Sequence, residues 1–139
     1  MHTIKRKITL TPAFHQTDMM GVVHNAQYFH WFEEGRLAVM QELLTIDAAM
    51  KLGFITPVVE NHCVYKRFVK FGDPLVLTTT HTIVSTYEGR LEFLHSLVHQ
   101  TTKVEMACGR TVVTIVDYKT NRLIKDWPDD LRQKYISLK

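Results

Sequence analysis

Two cysteines, Cys63 and Cys108, are all that 139 residues contain, and no C-x-x-C pair occurs. That scarcity excludes a disulfide framework and a thiolate zinc site, and it fits a reducing compartment. No run of 18 apolar residues is present, so no membrane-spanning helix is expected. The opening "MHTIKRKITLTP" carries charges without the apolar centre of a signal peptide, which points to a cytoplasmic protein. Low-complexity tracts and 20–50-residue repeats are also missing, leaving one domain, residues 1–139, as the expectation. The net charge is only +3 and is spread along the chain, which is no nucleic-acid footprint. The three serines (Ser85, Ser96, Ser137) sit outside any G-x-S-x-G elbow, and no glycine-rich phosphate loop is found.

What remains is a chain 45% hydrophobic and long enough to bury a real core. "TIKRKITLT" puts Ile4, Ile8 and Leu10 on one side of an extended segment, the period of a half-buried strand that Pro12 ends. "AQYFHWFEEGRLAVMQELL" predicts a helix of about five turns, apolar over most of its circumference, as buried helices are. Glu33 and Arg36 are spaced to pair on its wet stripe. From Val58 onward the pattern turns to strands: "VVENHCVYKRFVKF", "LVLTTTHTIVST", "LEFLHSLVHQTT" and "VEMACGRTVVTIVDY". A "GDP" turn, a "YEGR" hairpin turn at 87–90 and a "KTNRL" turn punctuate them. "DWPDDLRQKY" closes as a short helix, with Pro128 in its first turn. A strand, a buried helix and then consecutive hairpin-linked strands predict an α+β fold, with the sheet curled around the helix. Uncovered sheet edges in such a fold favour self-association.

Chemistry concentrates in "HQTDMMGVVHNAQYFHWFEEGR", residues 15–36. It sets a turn carboxylate, Asp18, and Gly21 at the mouth of the helix. Read alone, Asp18 also fits an Asx turn, His24 a capping histidine and Asn25 an N-cap. Met19 and Met20 suit either an adaptable pocket wall or plain packing. Lys66, Arg67 and Lys70 read as a solvated strand face with reach toward phosphates. His30 near Glu33 and Glu34 supplies too few ligands for a metal.

This stretch resembles the signature of the hotdog-fold acyl-CoA thioesterases of the 4-hydroxybenzoyl-CoA thioesterase family, T-D-x-x-G-x-V followed by Y-x-x-W-F-E-x-x-R. "VYKRFVKFGDPLVL" and "RTVVTIVDYKTNRL" extend the likeness over nearly the whole chain. The resemblance implies a curved antiparallel sheet of five or six strands wrapped around one long central helix, paired into a homodimer or homotetramer. It puts Asp18 on the catalytic carboxylate, Gly21 on the glycine of the same loop, and the Asn25 backbone N–H on the donor to the substrate carbonyl. Where some relatives read V-Y-H this chain reads V-H-N, so an imidazole role would fall to His24. Arg90 falls near a coenzyme A phosphate patch, while Met19, Met20, Tyr28 and Glu33 are the remaining substrate-binding candidates.

Acyl-CoA thioester hydrolysis suits these residues. A thiolate leaves readily, its parent thiol having a pKa of about 8.5, so no strong general acid is required. What the reaction needs is an ionised carboxylate, as nucleophile or base, and donors for the developing oxyanion, which a helix N-terminus supplies. No metal or redox cofactor is expected. An acyl-acyl-carrier-protein substrate and a non-catalytic acyl-CoA binding module are the alternatives.

Overall fold

The structure, a computed structural model, describes residues 2–83, 89–126 and 129–138, the side chains of residues 130, 131 and 134 excepted. Strand β1 (Thr3–Leu10) buries Ile4 and half-buries Ile8 and Leu10, while Thr3, Lys5 and Lys7 face water. A 3-10 turn (Phe14–Gln16) and a tight reversal lead into α1 (Gln27–Leu43). Helix α2 (Ile46–Lys51) follows, its first turn capped by the Thr45 hydroxyl, which accepts from the Ala48 amide at 3.1 Å. Then come β2 (Phe54–Ile55), β3 (Val58–Tyr65), β4 (Leu75–Thr82), β5 (Leu91–His99), β6 (Glu105–Val113), β7 (Val116–Asp117), β8 (Arg122–Leu123) and α3 (Asp129–Ser137).

The long strands form one antiparallel sheet in the order β1-β4-β5-β6-β3, and β2-β7-β8 form a small second sheet. Alternation explains its two faces. Leu75, Leu77, Thr79 and His81 of β4 are buried, as are Leu91, Phe93, His95 and Leu97 of β5. β3 differs: it is an edge strand, exposed along nearly its whole length. Among the described residues no helix is long and apolar enough to cross a membrane.

Helix α1 corrects one expectation. Its buried residues are Tyr28, Trp31, Phe32, Gly35, Arg36, Val39, Met40 and Leu43, a single stripe at three- and four-residue steps. Phe29, Leu37 and Ala38 flank that stripe half-buried, and His30, Glu33, Glu34 and Gln41 face solvent. The helix is therefore one-sided, and Arg36 belongs to the covered side instead of a wet stripe.

Two apolar clusters hold the helix to the sheet. Val39, Met40 and Leu43 pack with Ile4, Phe93, Val113 and Tyr135; Tyr28, Trp31 and Phe32 pack with Leu75, Leu77, Leu97 and Val69. Each large side chain so buried contributes about 1.5–3 kcal/mol. Between the clusters lies a polar band. His95 bonds the Thr79 hydroxyl at 2.9 Å and the Thr111 hydroxyl at 3.0 Å, and Phe32 stacks on its ring at 4.4 Å. Gly35 lets the helix approach here, since a Cβ would overlap the Thr79 hydroxyl.

Two of the expected strands break in the middle. The segment from Val58 to Phe71 leaves the ladder after Tyr65, where the amides of Lys66 and Arg67 both donate to the Met106 carbonyl and the chain bends. The last long strand breaks after Val113, where the Thr114 amide turns to the Pro57 carbonyl at 3.1 Å. At the "YEGR" turn Gly89 has a left-handed φ of +85°, while Tyr87 and Glu88 lie outside the described residues, as does Pro128.

Candidate active site

The bend after β3 brings residues 65–69 against the reversal before α1. Thr17 bridges Val23 and Val22 bridges Lys70, and the Val23 amide donates to the Val69 carbonyl at 2.8 Å. Inside the reversal the Asp18 amide donates to the Val22 carbonyl and the Gly21 amide to the Asp18 carbonyl. Gly21 sits at φ +81°, left-handed backbone that a side chain would strain. The result is a cleft of about 380 Å³ with mainly apolar walls, among them Val22, Val23, Tyr28, Phe68 and Val69.

Asp18 and Asn25 both line this cleft. Asp18 is half-buried and makes the Asx turn its position allows, its Oδ1 accepting from the Met20 amide at 2.7 Å. Its Oδ2 has no hydrogen-bond partner among the described residues, so one oxygen is anchored and one is available. The Asn25 carbonyl accepts from the Tyr65 hydroxyl at 2.8 Å, while the Asn25 amide has no partner among the described residues. A carboxylate oxygen and an amide that both lack partners among the described residues, on residues lining one apolar-walled cleft, are the two groups that polarising and attacking a carbonyl, or activating a water, require.

Other expected residues fall elsewhere. His24 is exposed and serves as a cap, Nδ1 accepting from the Ala26 amide at 3.1 Å; it is not part of the cleft wall. Asn25 is not the N-cap, a position held by Ala26 without a side-chain bond. Met20 lines the cleft, whereas Met19 is fully exposed outside it. Glu33 lies on a different pocket with Arg36, its Oε1 3.9 Å from the guanidinium. Arg90 lies just before β5 and outside the cleft lining, bonded to Glu60 at 3.0 Å in a network with Arg110 and Glu92.

Tyr65, Lys66 and Arg67 complete the cleft from 40 residues downstream. Tyr65 was not foreseen, because its position follows from sheet order and not from any local pattern. Lys66 is held by Glu105 at 2.5 Å, which raises its pKa, whereas Arg67 has no ion-pair partner among the described residues. Burial, reinforced by Cys63 and Tyr65, pushes the Tyr28 hydroxyl up to about 12, so it stays a neutral phenol. Burial likewise pushes the Cys63 thiol up to about 11, far from a thiolate nucleophile. Among the described residues no group of three His, Cys, Asp or Glu is placed to hold a metal.

The model of the thioesterase-like superfamily matches residues 12–135. YneP of Bacillus subtilis, whose name carries a provisional acyl-CoA thioesterase assignment, is 36% identical over 90 residues. That match covers 64% of this chain and 62% of YneP, less than two thirds of the relative's length. The DHNA-CoA thioesterase of Staphylococcus aureus superposes with a TM-score of 0.82 at 20% identity, over 96% of this chain and 90% of that one. The hypothetical protein SAV2348 of Staphylococcus aureus, solved in complex with CoA, gives 0.78 at 19% identity, over 99% and 84%. At such identities the likeness is one of fold: an antiparallel five-stranded sheet with few helices, the hotdog class that the motif implied.

Proposed function

Because the chain belongs to the thioesterase-like superfamily, we propose that it hydrolyses an acyl-CoA to the free carboxylic acid and coenzyme A. The observation that carries this reading is the meeting of Asp18 and Asn25 on one cleft. The substrate carbonyl oxygen takes the Asn25 amide, and the Asp18 Oδ2 either attacks the carbonyl carbon or draws a proton from the attacking water. The acyl–sulfur bond breaks and the thiolate leaves. In the first route this leaves an Asp18–acyl anhydride that water then hydrolyses to the acid, and in the second the water oxygen ends directly in the acid. One oxyanion donor of this kind is worth on the order of 3 kcal/mol in the transition state.

Gly21 supports the reading by turning the chain so that Asp18 faces the cleft. Met20 and Tyr28 wall the acyl group, and Arg67 meets carrier phosphates at the rim. No metal or redox cofactor takes part. His24 acts through its cap on the helix entry, and Met19 through whatever covers it. Glu33 and Arg90 would meet substrate only through a second copy, and the exposed β3 edge supports pairing into a homodimer or homotetramer. In that assembly α1 is the central helix around which the sheet curls. The free state of Cys63 and Cys108 supports a reducing, cytoplasmic setting.

Thiol release across a panel of aromatic, short and long acyl-CoAs tests the activity. Turnover of at least one class with equimolar free acid is expected; no release from any would overturn it. A second reading rests on the exposed Phe68, Phe71 and Met19 around the cleft. An acyl-carrier protein would cover such a rim, and turnover of one acyl chain on both carriers separates the two readings.

A further inference from the structure

The pocket beside Glu33 is lined by a buried cation that has no hydrogen-bond partner among the described residues. Arg36 is only 7% exposed, and its Nε is fully buried without a hydrogen bond. None of its five N–H donors is hydrogen-bonded among the described residues, and its nearest ionic partner is the solvent-exposed Glu33 carboxylate at 3.9 Å. Burial lowers the pKa of this guanidinium and Glu33 acts the other way; the group remains a cation at neutral pH. Of its nitrogens, Nε is the one fully buried without a partner among the described residues. Leaving a buried donor unmet is destabilising, and a suitable acceptor in the pocket would recover that loss.

The rest of the pocket says what kind of acceptor fits. Its volume is about 360 Å³, at the small end of the range for small-molecule sites. Ile46, Met50, Phe54 and Pro57 give it apolar walls. An apolar body with one planar anionic end matches both features, since a carboxylate takes two parallel N–H bonds from an arginine fork. We propose that this pocket binds a small apolar carboxylic acid as its anion, with Arg36 as the partner of the carboxylate. Glu33, the only acidic side chain lining the pocket among the described residues, competes with the ligand for the same guanidinium. The ligand is of the class released by the proposed hydrolysis, so its role as a product site rests on that reading; the binding itself does not.

Calorimetric titration of the full chain with hexanoate and benzoate, against hexanamide and benzamide, tests it. The Asp18→Asn variant is titrated alongside, so that failure of catalysis and failure of this site give different results. One carboxylate per chain is expected, held at least about tenfold tighter than the matching amide, the low end of what a single charge-assisted bond is worth. That preference should persist in Asp18→Asn, vanish in Arg36→Met, and grow in Glu33→Gln. Met50→Trp alters an exposed residue at the pocket mouth, which leaves the core untouched, and should weaken acid and amide alike. Equal binding of acid and amide, an undiminished preference in Arg36→Met, or full affinity in Met50→Trp would each overturn the proposal.

Discussion

The Tyr65 hydroxyl donates to the Asn25 carbonyl at 2.8 Å, tying the end of the edge strand to the peptide that precedes α1. That bond anchors the turn that carries Asn25 into the cleft lining, and Tyr65 also packs edge-on against Tyr28 at 4.8 Å. Tyr65→Phe keeps the ring and removes the hydroxyl that makes the tether. One neutral hydrogen bond is worth about 1 kcal/mol, so kcat should fall about fivefold with KM nearly unchanged. Steady-state kinetics of thiol release checks this.

Gly35 sits where the helix touches the fully buried Thr79. Alanine there gains about 1 kcal/mol of helix propensity. Against it, the added methyl meets a hydroxyl that His95 holds in place, and overpacking of this kind costs about 1–3 kcal/mol. The clash wins, because neither Thr79 nor the ring beyond it has room to withdraw. Gly35→Ala should lower the urea midpoint without changing the m-value.

Local pattern carried the elements well and their long-range meeting badly. The alternation of Ile4, Ile8 and Leu10 and the greasy run from Tyr28 to Leu43 are visible in a few residues each. Asp18, Gly21 and Asn25 were singled out because one short stretch resembles a family signature, and Asp18 and Asn25 do line one cleft. The band of Gly35, Thr79, His95 and Thr111 was not, since it requires the register that pairs Thr79 with His95 across two strands. Arg36 was misplaced for a related reason: charge suggested water, whereas its phase on the helix puts it with Phe32 and Val39.

His95 makes stability depend on pH. Burial, with the nearby Arg36 charge, lowers its pKa from 6.5 to about 4, and burial lowers that of His81 as well. The unfolded chain therefore binds more protons than the folded one between about pH 6.5 and 4. Stability is complete above that window and is lost as pH falls through it, by roughly 3 kcal/mol for His95 alone. Urea melts at steps of pH should show this slope, and His95→Gln should flatten it.

Arg67, exposed on the cleft rim without an ion-pair partner among the described residues, is placed to meet phosphate. Arg67→Ala should raise KM for an acyl-CoA several-fold with kcat little changed. The difference should shrink at high salt, as exposed charge interactions do. Kinetics at low and high ionic strength provide the check.

The most direct test removes the charge of Asp18 and nothing else. Asparagine keeps the oxygen that accepts from Met20, so the turn survives while the reacting carboxylate is gone. Thiol release by Asp18→Asn on the best acyl-CoA of the panel should fall by a factor on the order of a thousand, with an unchanged melting temperature. A variant that folds normally and turns over within tenfold of the parent would contradict the account.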